Sequence, residues 1–280
     1  MEDSVSAAPT RRAVTATIVT VGPPERTAEA LAVMQALARH ASVRNILITL
    51  GDESQPDIRT EGDVVTIDGL APRYLNNAVA RLRLPSLPSL AWWRGGERHE
   101  LEGLAQLVDR VTLDSADPST DWEVAPGIAT TAAVSDLRWT RLTRWRNLMA
   151  QFFDIPETRV ACAALTTLDI AAGDPHAARL FAGWLAACLP AADRLDVKTT
   201  QVPGGATIES IALAGGGSRL SLRLLPNRSC IESTLEHAGG IVASRVAPAA
   251  DERLEALLAE ELRIRSRDMA FEGALRMVNR

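Results

Sequence analysis

Ala13-Val14-Thr15-Ala16-Thr17-Ile18-Val19-Thr20-Val21, closed by Gly22-Pro23-Pro24, decides how the chain begins. β-Branched residues crowd this run, which suits a pleated strand, and the Gly-Pro-Pro stretch ends it. From Glu25 to His40, Leu31, Met34, Leu37 and Ala38 share one helical face, with Arg39 and His40 near the end, where the helix dipole favours cations. A second apolar strand follows from Val43 to Leu50. Strand, helix and strand in this order predict a parallel or mixed sheet with a helix on its face.

Outward from that opening, Val64 to Ile67 reads as a strand and Tyr74 to Arg83 as a helix that stops before Pro85. A Pro-punctuated segment then leads into Trp92 and Trp93 and a glycine turn. Leu101, Leu104, Ala105 and Val108 mark a helix, and Arg110 to Leu113 a strand. Ser135 or Asp136 is placed to cap one long helix running to Asp154, striped by Leu142, Trp145, Met149 and Phe152. Arg159 to Leu168 is expected to be a strand. Asp174-Pro175 starts a helix that buries Leu180, Phe181, Trp184 and Cys188.

Beyond Pro190 the pattern predicts antiparallel sheet. Strands at Thr207 to Leu213 and Arg219 to Leu225 flank Gly215-Gly216-Gly217-Ser218, followed by strands at Ser229 to Leu235 and Ile241 to Val246. Leu254, Leu258 and Leu262, then Phe271, Leu275 and Val278, mark two terminal helices. The fold expected is α/β, with an N-terminal α/β lobe on a mixed or parallel sheet. Its C-terminal lobe is α+β, largely antiparallel with terminal helices. The boundaries read as a flexible arm at 1–11, a first lobe at 12–155 and a second at 156–280.

With 280 residues, 46% hydrophobic and 23% charged, the composition is that of an ordinary globular protein and excludes fibrous and low-complexity classes. A net charge of −5 removes the overall positive field on which non-specific nucleic-acid binding relies. Lys198 is the only lysine and no glycine precedes it, which argues against a P-loop and a Schiff-base enzyme. Cys162, Cys188 and Cys230 are far apart, and the first two lie in alanine-rich apolar contexts that predict buried thiols without a disulfide framework. The first thirty residues lack the order of a signal peptide, and the longest apolar stretch is short of the ~18 residues of a membrane span. Cytoplasm is the default compartment.

No catalytic centre assembles from the motifs. The turn after the first strand is Val21-Gly22-Pro23-Pro24-Glu25-Arg26 instead of a glycine fingerprint, and its prolines remove N–H donors that a pyrophosphate would need. His40, His99, His176 and His237 form no metal-binding spacing, and no nucleophile elbow surrounds a serine. Asp114 with Asp117 or Asp121 is better suited to capping than to acid–base work. No cofactor and no metal is expected.

Tryptophan and arginine stand out instead, in Trp92-Trp93-Arg94 and again in 137–146, although aromatic residues make up only 4% of the chain. On a helical wheel Arg141 falls within the apolar stripe, while Arg144 and Arg146 flank it. A buried guanidinium requires a partner: Asp114, Asp136, Asp154 or a bound phosphate would serve. Such residues suit a core clamp, a partner surface or an anion site.

Three blocks resemble the OpcA family, the glucose-6-phosphate dehydrogenase assembly proteins. Leu84 to Gly95 resembles its LP-x-LP-x-x-WW-R-G signature. Asp136 to Arg146, continuing through Gln151-Phe152-Phe153-Asp154, resembles its Trp/Arg helix ending in Q-F-F-D, and 262–275 its Arg-rich end. The resemblance implies a non-catalytic assembly factor and allosteric activator that binds glucose-6-phosphate dehydrogenase in the oxidative pentose phosphate pathway, with no nucleic acid and no membrane involved. Candidates for partner contact or site integrity are Trp92, Trp93, Arg94, Arg141, Arg144 and Trp145. The alternative is a sugar-phosphate sensor or enzyme in which Arg141 and Arg144 clamp an anionic small molecule. Redox control through paired cysteines, attributed to cyanobacterial members, finds no matching motif here.

Overall fold

All seven residues of β1 (Ala16–Gly22) are buried, as expected of a β-branched strand covered on both faces. The computed structural model describes residues 13–53, 55–117, 122–190, 195–264 and 266–278. The arm at 1–11, Asp121 and Arg265 lie outside the described residues. Two compact units divide between Thr112 and Leu113.

In the first unit, β1 leads through a short 3-10 turn into α1 (Thr27–Ala38) and then β2 (Val43–Glu53). Next come β3 (Asp57–Glu61), β4 (Val64–Leu70), α2 (Leu75–Leu82), β5 (Ser89–Trp93), α3 (Arg98–Ala105) and β6 (Arg110–Leu113). The strands hydrogen-bond in the order β3-β4-β2-β1-β5-β6. β1 runs parallel to both β2 and β5, β2 to β4 and β5 to β6, while β3 is antiparallel to β4. Ile18, Val19, Val21, Ile46, Ile48, Met34 and Leu37 form the core.

In the second unit, α4 (Ala125–Ile128) and β7 (Ala133–Asp136) precede α5 (Leu137–Arg141), α6 (Thr143–Phe152) and α7 (Pro156–Ala161). β8 (Thr167–Ala172), α8 (Pro175–Cys188) and β9 (Asp196–Gln201) follow. A meander of β10 (Ser210–Gly215), β11 (Ser218–Leu224), β12 (Cys230–His237) and β13 (Gly240–Pro248) precedes α9 (Leu254–Glu261) and α10 (Met269–Val278). The six-stranded order is β13-β12-β11-β10-β8-β9, antiparallel throughout except for the parallel pair β8 and β9. Leu220 and Leu222 point to the helix-covered side, while Arg219 and Arg223 face solvent. Gly216 and Gly217, at φ 57° and 78°, make the left-handed turn of the β10–β11 hairpin.

The α/β class, the parallel opening and the antiparallel meander match the sequence expectation. The strand expected at Arg159 to Leu168 is instead α7 and a 3-10 turn, with β8 beginning at Thr167. Pro156 at the first helical position favours this, and Val160 is exposed rather than packed into a sheet. The single helix expected to run to Asp154 is interrupted at Leu142, whose N–H bonds to Trp139 three residues back. β3 escaped notice because all five of its residues are exposed, and β9 for the same reason. None of the three cysteines is buried, and Cys188 is exposed at the end of α8, contrary to its apolar context.

Candidate functional site

In open α/β sheets ligands bind beyond the carboxyl ends of parallel strands. At the ends of β1 and β5 that place is filled. Arg94, directly after β5, donates its N–H to Val21 O at 2.8 Å, and Gly22 lets it approach: a Cβ there would lie 2.8 Å from Arg94 Cβ. The Arg94 guanidinium stacks 4.5 Å from the Trp92 ring and donates to Glu29 Oε2 at 2.7 Å. Its side chain is 3% exposed, that of Glu29 49%. The crevice lined by Thr20, Gly22, Pro23, Arg26, Thr27 and Arg94 leaves no room for a water molecule.

Nor is the first turn of α1 free to hold phosphate. Pro23 and Pro24 have no N–H, Arg26 N–H bonds to Pro23 O, Thr27 N–H bonds to Pro24 O, and Glu29 adds a carboxylate in the first turn. These residues do not fit a dinucleotide pyrophosphate.

In the second unit α5 and α6 carry the other Trp/Arg block. Asp136, fully buried at the end of β7, caps α5 by accepting from Arg138 N–H at 2.8 Å and also accepts from Ser115 N–H at 3.1 Å. Burial pushes its carboxyl up from the ordinary value near 3.8, against the opposing hydrogen bonds. The residues of α5 then bond outward in turn. Arg138 donates to Asp174, the cap of α8, at 2.7 Å and to Ser115 Oγ at 2.9 Å. Trp139 Nε1 donates to Asp268 at 2.8 Å, and the Thr140 hydroxyl lies 2.8 Å from Glu261.

Arg141 places both terminal nitrogens on the Asp114 carboxylate, at 2.9 and 3.4 Å. Burial alone would lower its pKa, but Asp114, with Glu252 and Asp136, raises it above the ordinary value. Among the partners expected for this residue, Asp114 is the one in place. Arg146 lies 3.7 Å from the Trp139 ring, and burial lowers its pKa to about 10 against the pull of Asp268, Glu260 and Glu261, so it remains charged at neutral pH.

Of the six residues singled out from sequence, Trp92, Trp93, Arg94 and Trp145 are at most 4% exposed. Arg141 is tied to Asp114, and Arg144 donates Nε to Pro248 O at the end of β13. The structure gathers Trp92 with Arg94 in the first unit, and Arg141, Arg144 and Trp145 on consecutive helices in the second. Sequence reasoning missed other carboxylates that hold the two blocks: Glu29 on Arg94, Glu261 on Thr140 and Asp268 on Trp139 were not singled out, and Asp174, on Arg138, was read only as a cap. For Glu29 and Asp174 the available signal was the need of each buried arginine for a carboxylate. Among the described residues, no group of three His, Cys, Asp or Glu could hold a metal ion.

The fold resembles that of KijD10, a 3-ketoreductase from Actinomadura kijaniata solved with NADP, at TM-score 0.54 and 9% identity, covering 94% of this chain and 95% of that one. It also resembles a super-repressor mutant of Gal80p from Saccharomyces cerevisiae, at TM-score 0.52 and 8% identity over 89% and 83% of the two chains. A likeness at this identity extends to the fold alone. Among curated proteins, the chain is 28% identical over 242 residues to a Synechococcus elongatus protein named OpcA and provisionally placed in the OxPP cycle. That match covers 71% of this chain and 54% of the relative. The Synechocystis protein of the same name is 30% identical over 138 residues, 45% of this chain and 29% of its own length. The chain thus spans about half or less of the curated relatives it matches. Residues 132–275, half of the chain and all of α5 and α6 among them, match the OpcA family, described as the C-terminal domain of the glucose-6-phosphate dehydrogenase subunit, and the chain belongs to this family.

Proposed function

We propose that this chain is a cytoplasmic, non-catalytic binding protein of the oxidative pentose phosphate pathway, which associates with glucose-6-phosphate dehydrogenase and biases it toward its active state. The observation that carries the proposal is the filled crevice at β1 and β5: the Arg94–Glu29 pair occupies the place where a dehydrogenase of this architecture would accept its nucleotide. The description of the family supports the choice of partner, and the name of the cyanobacterial relatives supports the pathway. Among the described residues, no helix is long and apolar enough to cross a membrane. In this scheme the six Trp and Arg residues preserve the shape of the docking body from within, because four of them present almost no surface to a partner.

Activation requires tighter binding to the active state than to the inactive one, since equal affinity shifts nothing. The test adds purified chain to the dehydrogenase of the same host and follows rate, substrate KM and oligomer size together. At least one is expected to change, and constancy of all three would overturn the proposal. Titration of NADP and of glucose 6-phosphate into the chain alone is expected to give no heat. Tight binding of either would favour the alternative of an enzyme or a sugar-phosphate sensor.

A further inference from the structure

We propose that the free edge of β13 and the cavity beside it receive an extended segment of a partner protein, one carrying a large apolar residue and an acidic residue two positions apart. β13 is the last strand of its sheet, so among the described residues one side of its backbone has no strand beside it. Natural edge strands are usually short, charged or covered. This one runs for nine residues without a lysine and exposes Ile241, Val242 and Val246 at 70%, 62% and 58%. Arg144 of α6 holds its end through the Pro248 carbonyl.

Against this edge opens a cavity of about 180 Å³. Leu148, Phe152 and Ile155 make its apolar wall, Gln151 and Asp154 of the Q-F-F-D block line it with polar groups, and Ala243 and Arg245 come from β13 itself. Ala243 and Arg245 pair with Leu235 and Ser233, both buried, so they lie on the helix-covered side of the sheet. A strand added beside β13 would turn every second side chain toward that same side. Its residue beside Ala243, whose own side chain is a methyl, would meet the cavity. Since a cavity of roughly 150 Å³ accepts a benzene-sized group, a phenylalanine or leucine fits.

Two positions along the added strand, the neighbouring side chain meets Arg245, which is exposed and has no carboxylate within ion-pair distance among the described residues. An opposite charge is favoured there. A second copy of β13 is the poorer occupant. The register shift at Leu235/Glu236 pairs Ile241 with Glu236 on the other face, so β13 offers this side only Ala243, Arg245 and Ala247. Those residues would leave the cavity empty.

The test is fluorescence anisotropy of the full chain with a labelled, capped, seven-residue threonine-rich peptide that carries phenylalanine and glutamate two residues apart, titrated to about millimolar. Saturable binding is expected, weakened about tenfold or more when the peptide phenylalanine becomes alanine. Ala243→Phe in the chain should abolish it by filling the cavity. Arg245→Glu should weaken the glutamate peptide and strengthen its lysine counterpart, each by about threefold. Equal binding of the phenylalanine and alanine peptides by the native chain would overturn the proposal, and that comparison needs no folded variant. So would a peptide-free dimer in sedimentation that Ala243→Phe dissociates, because a second copy would then occupy the edge. Nothing here depends on which protein supplies the segment, so failure would leave the dehydrogenase partnership standing.

Discussion

Each unit carries an arginine next to the end of a strand or helix and sets it against a carboxylate, yet the two pairs do different things. Arg94 is almost fully buried while Glu29 remains half in water; the pair works as a plug, with the guanidinium sealing the crevice beside Gly22. Arg141 and Asp114 are both largely out of water, at 13% and 7% side-chain exposure, and fasten α5 to the segment after β6. The difference teaches that an Arg–carboxylate pair acts by where its counter-ion sits. When the carboxylate is solvated, losing the arginine costs mainly packing. When both are buried, losing either strands a charge.

That contrast can be broken by substitution. Asp114→Ala should have the largest effect, destabilising the intact chain by about 3–5 kcal/mol in urea unfolding because Arg141 remains buried without its partner. Asp114→Ala with Arg141→Met should recover a large part of the loss. Arg94→Ala should cost about 2 kcal/mol, less than Asp114→Ala, since Glu29 can hydrate in place. If Arg94→Ala proves the costlier, the contrast is wrong.

Asp136 sharpens the same point through pH. Its carboxyl pKa is raised in the folded state, so between about 3.8 and that raised value the native chain binds more protons than the unfolded one. The stability of the native chain relative to Asp136→Asn should therefore be highest below that window and fall as pH rises through it, and a difference that grows with pH would contradict the assignment. The smallest effect belongs to an exposed pair: Arg98→Ala, which removes the bond to Glu102 on α3, should shift stability by no more than about 0.5 kcal/mol.

Where period and turn chemistry acted alone, the chain could be read directly. β1, the cap at Asp136, the Asp174-Pro175 helix start and the Gly216-Gly217 hairpin each rest on a local rule that the tertiary structure does not override. Reading failed where long-range contacts decide. β3 and β9 have no buried face to leave a period, and only their neighbours in the sheet make them strands. At the candidate site the tryptophans were visible because aromatic residues make up only 4% of the chain, and the arginines because they stand beside them. Their carboxylates were not, because Glu29, Glu261 and Asp268 look in sequence like ordinary surface acids. Trp139 reaches Asp268 across 129 positions and Thr140 reaches Glu261 across 121, separations at which no local pattern carries information.

The interruption at Leu142 separates two tasks that a continuous rod would have locked together. Residues before it answer to loops and to the distant carboxyl-terminal helices; of those after it, Arg144 and the cavity wall meet the meander and its outermost strand, while Arg146 reaches back to Trp139. Two helix directions thus serve two sets of neighbours, and the Arg146–Trp139 stack keeps them in register.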